Sequence, residues 1–116
     1  MDTIKITPAG EVTRLAIDDE HKLAGTQTAV GGDVQTISLT EQAELVMHEE
    51  AKYAGSPVNP VAMKLLRHFD IALLPGDQIQ GTVLLIGFAG GDWISVPESM
   101  AATLDFLGHP LTKDAS

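Results

Sequence analysis

The feature of the sequence that most restricts its fold is the uncharged run from Gly81 to Gly91, which contains the aliphatic residues Val83 to Ile86. Aliphatic side chains occupy both alternating sets of positions here, as is typical of a strand covered on both faces. The run has eleven residues and contains glycines, so it falls well short of the roughly 18 residues that suggest a membrane span. The sequence therefore predicts a central, buried strand over residues 78–88.

Patterns on either side of this run predict two hairpins and three helices. The other strands are expected at 3–7, 11–17, 33–40, 44–49 and 93–96. The helices are expected at 18–29, 60–69 and from 97 to about 107, the second opened by Asn59 as cap and Pro60 at the first position. We therefore expect an α+β fold, a single domain with a mostly antiparallel sheet of about six strands and about three helices.

The chain length of 116 residues suits one domain with a genuine core. We expect that domain to span residues 1–108, and residues 109–116 to form a flexible C-terminal tail. The chain has no cysteine, which excludes disulfides, thiolate metal sites and cysteine nucleophiles. The first residues lack the pattern of a secretory signal, so a cytoplasmic location is expected.

The net charge of −9 is the most informative bulk property. An acidic surface repels phosphate backbones and anionic membranes, and the basic residues are scattered along the chain, so we expect neither direct nucleic-acid binding nor membrane binding. The acidity either serves solubility alone or forms a face that docks on a basic protein. The candidate contact residues for such a face are Glu41, Glu44, Glu49 and Glu50.

The triplet His48, Glu49 and Glu50 contains the side chains that bind metals and perform acid–base catalysis. On a strand, His48 and Glu50 share one face and Glu49 points to the other, so at most two ligands converge locally. We interpret the triplet as a solvated strand end, and we expect no metal, no cofactor and no catalytic residue.

Two aromatic residues with polar tips, Tyr53 and Trp93, suit an interface or the wall of a ligand site, and Trp93 suits core packing at least as well. The glycine-rich turn at 87–92 lacks the Lys-Ser/Thr pair of a phosphate-binding loop and precedes a strand, so it is interpreted as a hairpin turn. An alternative function is nevertheless a small-molecule (nucleotide-like) binding domain. Its pocket would lie between the loop from Tyr53 to Asn59 and the pair Asp92 and Trp93.

Four motifs occur in a recognisable order: VGGDV at 30–34, HEEAKYAGSPVNP at 48–60, IQGTVLLIG at 79–87 and GDWISVP at 91–97. Their succession resembles a family of small uncharacterised proteins of bacteriophages, plasmids and their bacterial hosts, which carries only a domain-of-unknown-function label. The middle block of that family is similar to Asn-Glu-Glu-Gly-Lys-x-x-Gly-Leu-Pro-x-Asn. Residues that match it are Glu49, Glu50, Lys52, Gly55, Pro57 and Asn59, and those that depart from it are His48, Ala51 and Ser56.

The resemblance implies a cytoplasmic accessory protein of a mobile element, in a bacterial host cell, with no assigned activity or cofactor. Together with the acidity, it leads to our principal expectation, a non-enzymatic protein that binds a host or phage protein. An exposed edge strand would also allow a homodimer.

Overall fold

The computed structural model describes residues 1–112, which form one antiparallel sheet with helices on both faces. The strands are β1 (Asp2–Ile6), β2 (Val12–Ala16), β3 (Val34–Thr40), β4 (Ala43–His48), β5 (Val83–Ala89) and β6 (Asp92–Ile94). The helices are α1 (Lys22–Val30), α2 (Pro60–His68) and α3 (Glu98–Phe106), and a 3₁₀ turn at Asp19–His21 precedes α1. The strand order is β2-β1-β5-β4-β3, with β6 also paired to β5. The predicted α+β fold is confirmed.

The central strand is β5, which pairs with β1, β4 and β6. Its alternating side chains enter two different cores because successive residues of a strand point to opposite faces. Val83 and Leu85 belong to the larger core, which includes residues of α2 and α3. Leu84 and Ile86 belong to a smaller core that includes residues of α1. The prediction of a strand covered on both faces is confirmed.

The start of β5 differs from the prediction, because residues 78–82 lie outside the strand. Gly81 adopts a φ of 82°, in the left-handed region, which interrupts the extended backbone. Gln80 forms an isolated bridge with Val58 instead of joining the strand. The segment before β5 therefore bends to meet the loop that leads into α2.

Helix α1 forms despite a weak apolar stripe, supported by a capped turn before it and by its close approach to Ile17. The preceding 3₁₀ turn is capped by Asp18, whose side chain accepts from the Glu20 backbone N–H at 3.0 Å. Gly25 allows the helix to lie close to the sheet, because a Cβ at that position would stand 2.6 Å from Cγ2 of Ile17. The helix ends at Gly31, whose φ of 99° lies in the left-handed region that glycine tolerates.

The first residues of the predicted flexible tail are held against the domain. The backbone N–H of His109 donates to the Leu104 carbonyl at 2.8 Å, and that of Thr112 donates to the Val12 carbonyl at 2.7 Å. Leu111 packs against the larger core. The rest of the predicted tail, residues 113–116, lies outside the described residues.

Candidate functional site

The hairpin of β3 and β4, with its flanking residues, carries the four glutamates that the sequence suggested as a contact face. We call residues 33–50 the acidic hairpin. Its strands are in register through pairs such as Gln35 with Met47, and a bulge interrupts the register between Ser38 and Thr40. The strands run to Thr40 and from Ala43, so the turn is shorter than predicted. This geometry sets where each carboxylate lies.

The four glutamates lie at two ends of the hairpin rather than on one patch. Glu41 lies in the turn and Glu44 follows it on β4, whereas Glu49 and Glu50 come after the end of that strand. At about 3.4 Å per residue, Glu44 and Glu49 are roughly 17 Å apart along the chain. Asp33 was not among the predicted contact residues. It lies beside Glu49 and Glu50, because the Glu49 N–H donates to the Asp33 carbonyl at 2.7 Å.

Most of the hairpin carboxylates are open to solvent. Asp33, Glu41, Glu49 and Glu50 are exposed, and none of them takes part in an ion pair with another residue of the range 1–112. The nearby Lys52 is engaged elsewhere, since its ammonium donates to Asp77, and that hydrogen bond raises the pKa of Lys52. The charge of the hairpin is therefore left for water or for a partner.

Glu44 differs from the other hairpin glutamates because it has an internal partner. Its Oε2 accepts a hydrogen bond of 3.0 Å from Trp93 Nε1. The neighbouring Lys22 ammonium donates to Asp92 Oδ2 at 3.2 Å and to the Trp93 carbonyl at 2.6 Å. These bonds join α1, β4 and β6, so the polar groups of Trp93 and Asp92 are already used within the fold.

The triplet His48, Glu49 and Glu50 is not arranged as a metal site or as an acid–base group. His48 ends β4, and its Nδ1 lies 3.0 Å from the Asp33 carbonyl, which can only accept, so Nδ1 carries the proton. Glu50 lies beyond the strand in a turn, where its backbone carbonyl accepts hydrogen bonds from the Tyr53 and Ala54 N–H groups. Within residues 1–112, no group of three His, Asp or Glu side chains is placed to hold a metal ion.

Asn59 is a structural crosslink rather than an open binding residue. Its side chain is fully buried. Its Nδ2 donates to the carbonyls of Ile6 at 3.1 Å and Gly81 at 2.9 Å, while Oδ1 accepts from the Ala62 N–H at 3.1 Å. It therefore caps α2, as predicted, and also ties that helix to β1 and to the segment before β5.

The two parts of the predicted small-molecule pocket lie at opposite ends of β5. The loop 53–59 is bound to the start of that strand, where the Gly81 N–H donates to the Pro57 carbonyl at 2.8 Å. Asp92 pairs with Ala89 at the other end. The length of β5 separates them by roughly 20 Å. Tyr53 is 88% exposed and does not close a cavity.

A groove does exist beside the acidic hairpin, between β3 and the segment 73–80. Its volume is about 130 Å³, and its lining includes Gln35, Ile37, Leu73, Asp77 and Gln78. Typical small-molecule sites occupy roughly 300–1,000 Å³. The groove can therefore receive one or two side chains of a partner rather than a nucleotide.

Comparison with known proteins gives a family without an assigned activity. The family described as a domain of unknown function, DUF3846, matches residues 1–108. No curated protein and no solved structure matches the chain. Within residues 1–112, none of the helices has the length and hydrophobicity of a transmembrane segment.

Proposed function

This chain belongs to the DUF3846 family, and we propose that it is a small accessory protein of a phage or other mobile element that binds a basic protein of phage or host. The resemblance of its four ordered motifs to small phage and plasmid proteins supports the mobile-element setting. In this proposal the protein acts by recognition rather than by catalysis, and the acidic hairpin is its contact surface.

The observation that carries the proposal is the state of the hairpin carboxylates. Asp33, Glu41, Glu49 and Glu50 are exposed and form no ion pair with residues of the described part of the chain. Like charges held on one hairpin disfavour folding slightly and are relieved by a cationic partner. Complementary charge would speed the encounter and make the complex sensitive to salt.

The side chains best suited to catalysis or ligand binding already make hydrogen bonds inside the fold. His48 is hydrogen-bonded to a backbone carbonyl, Asn59 is bonded through both of its side-chain polar atoms, and Trp93 donates to Glu44. The exposed residues Asp33, Glu41, Glu49 and Glu50 of the hairpin present carboxylate oxygens, which accept hydrogen bonds from lysine and arginine. This distribution supports recognition of a basic surface.

The test compares two variants with the same change in charge. The hairpin variant carries Asp33→Asn, Glu41→Gln, Glu49→Gln and Glu50→Gln. The control variant carries Glu11→Gln, Glu20→Gln, Asp70→Asn and Asp105→Asn, all at exposed positions outside the hairpin. Glu44 is left unchanged in both because it bonds Trp93.

Each immobilised protein is used to capture partners from a bacterial lysate at low and at moderate salt. We expect a basic protein that is retained by the wild type and the control variant, is lost from the hairpin variant, and weakens as salt rises. Equal capture by both variants, or no specific capture by the wild type at either salt concentration, would contradict the proposal.

A further inference from the structure

The outer edge of β3 is open within residues 1–112. β3 ends the strand order and pairs only with β4. Because the Glu49 N–H donates to the Asp33 carbonyl, and bonded positions alternate in an antiparallel ladder, the residues Val34, Thr36 and Ser38 direct their N–H and C=O groups outward. No hydrogen bond from the described residues satisfies these groups.

The opposite edge of the sheet is protected. β2 carries the charged Arg14, whose guanidinium bonds both carboxylate oxygens of Glu98 at 3.1 and 3.2 Å. One of its outward carbonyls, that of Val12, accepts from the Thr112 N–H at 2.7 Å. Charged side chains and covering segments are common means of preventing strand addition. β3 has no charge anywhere from Val34 to Thr40.

Two depressions lie beside this open edge. The groove of about 130 Å³ beside Gln35 and Ile37 lies on the face of α2 and α3. An open depression of about 410 Å³, lined in part by Ser38 and Phe88, lies towards the turn of the hairpin. An added strand projects side chains along this edge, so each depression can receive one of them.

We propose that the outer edge of β3 is a strand-addition site for an extended segment of the protein partner. The segment is uncharged and β-forming over about five to seven residues and carries Lys or Arg at both ends. Charge placement selects this occupant, because Asp33 and Glu49 lie beyond one end of the uncharged strand and Glu41 beyond the other. This inference rests on the proposed function and specifies how the acidic hairpin holds its partner.

A second copy of the chain is the other occupant that an open edge allows. In a two-fold antiparallel pair of β3 strands, the acidic residues at each end of one strand approach those of the other. Each copy also carries a net charge of −9. Charge therefore disfavours the second copy and favours a segment with basic ends.

The probe is a fluorescent, end-blocked peptide with alternating threonine and valine between pairs of lysines, and its binding is measured by fluorescence anisotropy. One control peptide has the same sequence with a methyl group on every backbone nitrogen between the lysines, which removes the N–H donors from both edges of the peptide but keeps the charge. A second has glutamates in place of the lysines. We expect the wild-type protein to bind the probe and to bind each control peptide at least about tenfold more weakly.

On the protein side, Thr36→Pro removes an outward N–H without removing a ladder bond to β4. Ala16→Pro makes the matched change at an outward N–H of β2, and circular dichroism confirms that each variant is folded. We expect Thr36→Pro to weaken probe binding about tenfold or more and Ala16→Pro to leave it unchanged. If Thr36→Pro does not fold, the methylated peptide tests the same strand ladder on the wild type, through the N–H donors of the peptide.

The outcomes separate this inference from the proposed function. Equal binding of the lysine probe and its methylated form, or of wild type and Thr36→Pro, overturns strand addition, while loss of binding in the hairpin variant still supports charge recognition. No binding of the probe to the wild type also overturns strand addition. A homodimer in sedimentation experiments that Thr36→Pro abolishes would assign the edge to a second copy and overturn the proposal.

Discussion

Asn59 and the acidic hairpin are both polar, but the fold uses them in opposite ways. Every side-chain polar atom of Asn59 is bonded inside the protein, to three different parts of the chain. Within residues 1–112 the exposed hairpin carboxylates form no ion pair, and among them only Asp33 accepts a side-chain hydrogen bond, from Gln27 at 3.3 Å. Polar residues of the first kind stabilise the structure, and those of the second kind are available for recognition. The number of internal bonds, rather than residue type, separates the two roles.

The largest effect on stability is expected at Asn59. Asn59→Ala removes the cap of α2 and leaves the carbonyls of Ile6 and Gly81 without their buried donor, so the free energy of unfolding should fall by about 3 kcal/mol or more. Denaturant unfolding measures the loss. Gln42→Ala, which shortens an exposed amide, is the matched control and should stay within about 0.5 kcal/mol of wild type. Similar losses of unfolding free energy in both variants would contradict the distinction between the buried, bonded Asn59 and exposed polar residues.

Glu44 lies between the two classes, because it belongs to the hairpin yet accepts from Trp93. Removing this bond should lower the free energy of unfolding by about 1 kcal/mol in Glu44→Ala and by less in Glu44→Gln, which keeps an acceptor oxygen. A double-mutant cycle with Trp93→Phe should give a coupling energy of about 0.5–1.5 kcal/mol. A coupling energy near zero would place Glu44 with the other hairpin glutamates.

The hairpin variant should leave stability nearly unchanged. Its four substitutions remove charges without removing an internal ion pair, so we expect the free energy of unfolding to stay within about 0.5 kcal/mol of wild type or to rise slightly at low salt. Thermal unfolding at two salt concentrations checks this. A marked loss of stability would show that the hairpin carboxylates support the fold.

The smallest effect is expected at Asp18, an exposed carboxylate with a local partner. The hydrogen bond from the Glu20 N–H, followed by that with His21, lowers the pKa of Asp18. Because the pKa is lower in the folded state, the ionised Asp18 stabilises the fold at pH values above its unfolded pKa of about 3.9. This contribution is lost as the pH falls through the folded pKa. Wild type should therefore exceed Asp18→Asn slightly in melting temperature at pH 7, and the difference should vanish in acid. A constant difference would argue against this pairing.

Local signals in the sequence predicted much of the fold. The apolar run of β5 and the Asn59 and Pro60 opening of α2 each depend on neighbouring residues, and each was confirmed. The late start of β5 was not predicted, because hydrophobicity does not reveal the left-handed conformation of Gly81. The close approach of Gly25 to Ile17 is likewise a tertiary contact with no periodic signal.

The candidate site was less accessible to sequence reasoning. The four glutamates were predicted to form one face, but two of them lie at one end of β4 and two at the other. The bond between Trp93 and Glu44 joins residues 49 positions apart, which no local pattern indicates. Asn59 was recognised as a cap, whereas its bonds to β1 and to Gly81 depend on how distant segments meet.

The most direct test of recognition by the acidic hairpin is an amide map of the wild-type protein by ¹⁵N–¹H NMR as the lysine-flanked peptide is added. We predict that the largest shift changes fall within residues 33–50, with Thr36 and its outward neighbours among them, and that they are lost in the hairpin variant. Shift changes centred on α2 and α3, or spread evenly over the acidic residues and unchanged in the hairpin variant, would contradict the account.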